Sequence, residues 1–226
     1  MSFALYSFAT QELCNKALTS ALLTQIKELL ALKNKVVLAL SGGRSPRDFL
    51  QLLSEQECQW HKCVINLVDE RVVDVEHEDS NAAFIQKYFL QNSAQAARFI
   101  PLLEEANDDL EFLLKNANAN FIQPDFAVLG MGLDGHTASL FSDAKEFDHA
   151  LRTQENIVAI SPKNAPHKRL SLSLSALEKC KKLFLLIGGE DKAKVFQKVI
   201  KNVQPTHPVS YILHSRKVPC DVYFHD

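Results

Sequence analysis

No basic stripe runs through this chain, no apolar stretch is long enough to cross a bilayer, and no Cys-x-x-Cys pair occurs. Each absence removes a class of function. With 25 Lys and Arg against 27 Asp and Glu, the formal net charge is −2. Nucleic acid is therefore not an expected partner, and an anionic ligand must be met by a few local cations rather than by a global field. Without a membrane-length run, no membrane partner is expected either. The opening Met1-Ser2-Phe3-Ala4-Leu5-Tyr6 has neither the basic start nor the long apolar core of a secretory signal. Cys14, Cys58, Cys63, Cys180 and Cys220 are scattered and odd in number. These features together predict a reduced, cytoplasmic setting. His61 between Cys58 and Cys63 has the residue types of a metal cluster, but ordinary thiols near a strand account for the same three residues, and no metal site is expected.

What is present reads as one domain, residues 1–226, with a substantial core. Leu13, Ala17, Leu18, Ala21, Leu22, Ile26, Leu29 and Leu30 recur at helical spacing and predict a helix from Glu12 to Leu32. Strands are expected at Val36–Leu40, Val64–Val68, Phe126–Leu129, Ile157–Ile160, the period-two Leu170–Leu174, the fully apolar Leu183–Ile187, and Val222–Phe224. Further helices are expected after Asp79-Ser80-Asn81, with Ala83, Phe84, Tyr88 and Phe89 on one side, and at Lys192–Ile200. A short one spans Asp108 to Leu114 and trails into the polar run Asn116–Asn120. Gln204–Pro208 reads as a loop. Strands alternating with helices predict an α/β fold whose mainly parallel sheet is covered on both faces. Ligands of such sheets bind at the carboxyl ends of strands. Ser41–Gly43, Asp69–Arg71, Gly130–His136 and Gly188–Lys192 all lie just past strand ends, so the four segments are expected on one rim.

Ser41-Gly42-Gly43-Arg44-Ser45-Pro46 sits between an apolar strand and an apolar-periodic helix. Two glycines allow close backbone approach, and the helix start offers free N–H groups and positive dipole potential, so a phosphate fits there. Ser45 is the expected N-cap and Pro46 the first helical residue. Gly130-Met131-Gly132-Leu133-Asp134-Gly135 formally matches G-x-G-x-x-G. A dinucleotide is not the expected ligand, because Asp134 would repel a pyrophosphate and the strand ending at Ile160 is followed by Ser161 rather than by a ribose-binding acid. Asp134 and His136 in one glycine-rich loop suit a general base held by a carboxylate. Asp69-Glu70-Arg71 offers a carboxylate and an arginine to the same rim, with the direction of Glu70 open. Arg169 and Lys192 supply cations, the guanidinium able to grip a phosphate with two donors and the ammonium adding a point charge.

These segments, with Asp79-Ser80-Asn81, the block Leu129–Phe141 containing Asp-Gly-His-Thr-Ala-Ser-Leu-Phe, Pro166–Ser173, and Gly188 with Lys192, resemble the signature blocks of the 6-phosphogluconolactonase family, in family order and over nearly the whole chain. The resemblance implies a Rossmann-like three-layer α/β/α sandwich shared with glucosamine-6-phosphate deaminase. It implies hydrolysis of 6-phosphoglucono-1,5-lactone without a cofactor, with a small phosphosugar lactone as the partner and a monomer or weak homo-oligomer as the assembly. It further implies that Gly42, Gly43, Ser45, Arg169 and Lys192, with Ser41 and Arg44 in the same loop, hold the 6-phosphate. His136 is implied to be catalytic, with Asp69 and Arg71 nearby and either Asp134 or Asp69 orienting the imidazole. Val72-Val73-Asp74 departs from the usual Trp-Val-Pro, Ser142 from a proline, and Ser171 and Ser173 from threonines. The deaminase relative uses an acidic residue a few positions after the shared Asp-x-His, whereas Ser139-Leu140-Phe141-Ser142 contains no carboxylate.

Overall fold

Strands that are apolar on both faces decide the architecture, because each face then needs its own cover. The computed structural model describes residues 3–106 and 109–225; Met1, Ser2 and Asp108, on which parts of two expectations fall, lie outside the described residues. In chain order the elements are β1 (Phe3–Phe8), α1 (Gln11–Leu30), β2 (Val36–Leu40), α2 (Arg47–Ser54), a 3-10 turn (Trp60–Lys62), β3 (Cys63–Leu67), β4 (Asp69–Arg71), α3 (Asn81–Tyr88), a second 3-10 turn (Asn92–Ala96) and β5 (Arg98–Phe99). There follow α4 (Leu110–Ala119), β6 (Phe126–Gly130), α5 (Phe147–Arg152), β7 (Ile157–Ile160), β8 (Arg169–Leu172), α6 (Leu174–Glu178), β9 (Lys182–Gly188), α7 (Glu190–Val199), α8 (Val209–Leu213) and β10 (Cys220–His225).

Seven strands form one sheet in the order β1-β10-β9-β6-β2-β3-β5, and every pairing in it is parallel. Successive residues of a strand serve opposite cores. Leu38, Leu40, Phe126, Val128, Phe184 and Leu186 pack under α1, α2 and α3, while Ala39, Ala127, Leu129, Leu183, Leu185 and Ile187 pack under α4 to α8. The result is the anticipated three-layer α/β/α sandwich. After β2 the chain proceeds outward to β3 and β5, then returns to place β6 on the other side of β2. The β2/β6 seam is therefore the switch point, where loops diverge and open a crevice.

The second sheet was not anticipated. Asp69–Arg71 pairs antiparallel with β8, and β8 with β7, in a separate three-stranded sheet ordered β4-β8-β7. Its register sets Asp69 opposite Ser171 and Arg71 opposite Arg169. The period-two run Leu170–Leu174 stops at Leu172, because the Ser173 hydroxyl accepts from the Ala176 N–H and starts α6. Helix α4 continues into the Asn116–Asn120 run, to Ala119, instead of ending before it. Asn118 explains this: its amide donates to Leu114 O and Ile157 O and its Oδ1 accepts from Ile157 N, docking the polar run on β7.

Other expectations shift locally. Leu13 points outward, at 52% exposure, and Cys14 takes its place in the core. On α3 the fully buried apolar positions are Ala82 and Ile85; of the expected face, Phe89 is buried just beyond the helix and Phe84 packs half-buried against the same core. Helix α2 begins at Arg47 with Pro46 as its cap residue and no side-chain cap, so Ser45 is not the N-cap. Its hydroxyl accepts from Lys192 instead. Strands β1 and β5 and helices α5, α6 and α8 carried no readable signal. Residues 4–7 of β1 are exposed and are ordered by the ladder to β10.

Candidate active site

The loop after β2 is anchored at the switch point by Ser41, whose N–H and hydroxyl both donate to Val128 O, at 3.1 and 2.9 Å. A side chain at Gly42 would run into the Asn81 carboxamide, and Gly43 holds a left-handed φ of 94°. Only glycine meets either condition without strain. The loop thereby passes under the start of α3 and leads into α2. From the far side of the sheet Lys192, in the first turn of α7, sends Nζ 3.0 Å to Ser45 Oγ. Burial, and then the neighbouring Arg44 guanidinium, pull the Lys192 ammonium below its ordinary pKa.

The loop after β6 folds back on itself through Gly132 N–H to His136 O and Gly135 N–H to Gly132 O, at 2.9 and 3.0 Å. A side chain at Gly132 would collide with the imidazole. Asp134 Oδ1 lies 2.6 Å from His136 Nδ1. A carboxylate can only accept, so Nδ1 carries the proton and Nε2 is left as the basic nitrogen. Partial burial pushes the Asp134 carboxyl up, but the hydrogen bonds and charge of His136 prevail and hold it below its usual value. The imidazole stacks on Phe141 with centroids 4.2 Å apart, and the Arg169 guanidinium carbon lies 5.1 Å from the centroid of the same ring. Phe141 thus couples the histidine to the cations.

Asp69 does not contact His136 through its hydrogen bonds. Its Oδ2 accepts from Ser139 Oγ at 2.5 Å and lies 3.9 Å from Arg169 Nη1. The geometry therefore makes Asp134, and not Asp69, the imidazole's partner. Glu70 turns away from the rim. Its carboxylate accepts from the N–H groups of Arg71, Asn81 and Ala82 at 2.7–2.8 Å and caps α3, while burial pushes it up to about 6. Arg169 donates to Pro166 O at 3.1 Å and reaches Ser139 Oγ at 3.5 Å. Arg71 donates to Asp79 O. Both guanidiniums keep a buried Nε without a partner, which leaves donor capacity where the small sheet brings them side by side.

A cleft of about 210 Å³ lies between these loops. Ser41, Gly42, Gly43, Arg44, Ser45, Asp69, Arg71, His136, Arg169 and Lys192 all line it; Asp134 alone among the expected residues stands behind, on His136. Sequence reasoning missed Asn81 as a lining residue. It reaches the cleft by donating Nδ2 to Asp69 O at 2.8 Å, and its signals were its place after the Asp-Ser helix entry and within one of the blocks that carry the family resemblance. The departures from the family pattern remain useful: Ser171 Oγ accepts from Ser139 N, and Ser142 Oγ donates to Thr206 O. Two larger clefts, of about 820 and 760 Å³, have no histidine in their walls. Among the described residues no group of three or more His, Cys, Asp or Glu is arranged to hold a metal ion, and no helix is long and apolar enough to cross a membrane.

The family described as glucosamine-6-phosphate isomerases/6-phosphogluconolactonase matches residues 9–220. The chain belongs to that family. A 6-phosphogluconolactonase of Helicobacter pylori (strain J99) is 46% identical over 226 residues, covering 99% of each chain. One of Neisseria meningitidis serogroup A is 36% identical over 92% of this chain and 93% of its own. Among solved structures, a 6-phosphogluconolactonase of Shewanella baltica superposes with a TM-score of 0.93 at 32% identity, covering 99% of this chain and 98% of the other. A monomeric glucosamine-6-phosphate deaminase shares the fold, with a TM-score of 0.80 at 19% identity over 98% and 97% of the two chains.

Proposed function

We propose that the chain hydrolyses 6-phosphoglucono-1,5-lactone to 6-phosphogluconate. One observation carries the reading: a carboxylate-held imidazole and the cations Arg169, Lys192, Arg44 and Arg71 open on the same small cleft. An anion clamp beside a general base suits a small substrate that carries a phosphate at one end and an ester at the other.

In this reading the Gly42–Ser45 loop, Lys192 and Arg169 take the phosphate and bring the lactone carbonyl to His136. Nε2 removes a proton from water as its oxygen attacks C1, and Asp134 steadies the resulting imidazolium. Arg71, with its spare Nε donor, faces the oxyanion. Collapse breaks the bond from C1 to the ring oxygen, and the imidazolium returns its proton to that oxygen. Asp69 acts one step removed, holding Ser139 and Arg169. General base catalysis contributes about 10²–10⁴-fold, and the phosphate anchor adds positioning.

The deaminase reaction is disfavoured by the Ser139–Ser142 stretch, whose Ser139 is committed to Asp69 and which offers no carboxylate. The deciding assay uses freshly made lactone and subtracts spontaneous opening. Enzyme-dependent production of 6-phosphogluconate is expected. Ammonia release from glucosamine-6-phosphate without lactone turnover would transfer the assignment to the relative.

A further inference from the structure

We propose that His167, acting through Asp79, is a positioning residue that holds the Arg71 and Arg169 guanidiniums at the cleft. The proposal deepens the lactonase reading and rests on it for its kinetic consequences. Arg71 and Arg169 stand opposite one another in the β4–β8 register. Like charges so placed repel, and each guanidinium needs an anchor to stay aimed at a ligand. Each finds one on the loop beside its own strand. Arg71 donates Nη1 to Asp79 O at 2.5 Å, and Arg169 donates Nη2 to Pro166 O at 3.1 Å.

The two loops part beyond the end of the small sheet. Their last main-chain tie is Val72 N–H to Lys168 O, at 2.8 Å. Past it, among the described residues, a single hydrogen bond joins them, between His167 Nε2 and Asp79 Oδ2 at 3.0 Å. A carboxylate only accepts, so Nε2 carries the proton. The bridge connects the residue whose carbonyl anchors Arg71 to the neighbour of the residue whose carbonyl anchors Arg169. His77 supports it from the side. Its Nδ1 accepts from Asp79 N–H at 3.0 Å, and its ring meets the His167 ring edge-on with centroids 5.6 Å apart. The hydrogen bond from His167, with the charge of Arg71 adding to it against the effect of burial, holds the Asp79 carboxyl below its ordinary pKa.

The backbone points the same way. His167 has a φ of 68°, a left-handed conformation that disfavours residues other than glycine. Glycine would fit there without strain, so the histidine is explained by what its side chain does rather than by the turn. Strain of this kind persists where the surroundings hold it in place for function.

The test sets His167→Ala, His167→Gln and His167→Gly beside the wild type. It reads kcat and KM for 6-phosphoglucono-1,5-lactone, the Kd of inorganic phosphate by calorimetry, and Tm. His167→Ala should lower kcat/KM about tenfold and weaken phosphate binding by a similar factor, because both guanidiniums lose their common brace. In His167→Gln the amide Nε2 can stand where the imidazole Nε2 stood, so this variant should recover most of both losses. His167→Gly should lose activity as His167→Ala does, yet melt at a higher temperature than His167→Ala, because glycine relieves the left-handed strain. Asp79→Ala should cost about as much as His167→Ala, and the double variant little more than either. Near-wild-type kinetics and phosphate binding in His167→Ala, a loss that His167→Gln fails to recover, activity that merely follows Tm across the set, or additive losses in the double variant would each overturn the proposal. A wild type that turns over no lactone would remove the lactonase reading instead, and the phosphate Kd values would then decide this one alone.

Discussion

The two sheets of this protein bury different chemistry. The seven-stranded sheet buries apolar strands: all five residues of β2 and all five of β3 are buried, and Asn66 is the only polar one among them. The three-stranded sheet also buries apolar residues, Ile157, Ile160, Leu170 and Leu172 among them, but adds polar and charged groups, with Asp69, Glu70, Arg169 and Ser171 all at 6% exposure or less. A buried charge is tolerated only when it is paired and hydrogen-bonded. Here the pairing runs from Asp69 to Ser139 and Arg169, and from Glu70 to the start of α3. The large sheet acts as a scaffold and the small one as a holder of functional charge. Substitutions in the two should separate stability from chemistry.

The largest effect is expected outside both scaffolds, at the loop they jointly hold. His136→Ala should lower kcat by about 10²–10⁴-fold while leaving 6-phosphogluconate binding and thermal stability near wild type; kinetics and calorimetry on one preparation check both. Leu38→Ala, deep in the large sheet, should cost about 3 kcal/mol in denaturant unfolding with kcat and KM unchanged wherever the protein remains folded. If turnover fell with stability, the scaffold would not be insulated from the chemistry. Arg169→Ala in the small sheet should do some of each. KM should rise about 10–100-fold, and stability should drop because Asp69 keeps a buried carboxylate without its cation.

The smallest effect is a pH dependence. Lys192 sits below its ordinary pKa because burial and Arg44 disfavour its charge. A bound phosphate favours that charge. Inhibition by inorganic phosphate should therefore weaken as pH rises through the lowered Lys192 value, before an ordinary lysine would titrate. Lys192→Met should remove that limb, and a limb unchanged in this variant would place the phosphate elsewhere.

The same contrast explains what the sequence made legible. Unbroken apolar runs such as Val36–Leu40 and Leu183–Ile187 announce strands covered on both faces, and the seven glycines fall entirely in the three loops Gly42–Gly43, Gly130–Gly135 and Gly188–Gly189 at the ends of β2, β6 and β9. Parallel sheets place such loops on one rim, so ten of the eleven expected site residues could be gathered without coordinates. Long-range pairing was not legible. Nothing local shows that Arg71 lies opposite Arg169, that Ser139 ties Asp69, or that Glu70 caps α3, because those choices depend on the antiparallel register of β4 on β8. For the same reason the imidazole's carboxylate could not be chosen: Asp134 and Asp69 are equivalent in type and differ only in where the two loops meet. Ser45 failed as a cap because a cation from α7, 147 residues away, claimed its hydroxyl.

The central claim, an anion clamp and a general base serving opposite ends of one substrate, is tested most directly by comparing kcat/KM for the phosphorylated lactone with that for unphosphorylated glucono-1,5-lactone, in wild type, Lys192→Met and His136→Ala. The account predicts a strong wild-type preference for the phosphorylated substrate that largely collapses in Lys192→Met, while His136→Ala lowers both values in parallel. A preference left intact by Lys192→Met, or an His136→Ala loss confined to one substrate, would contradict it.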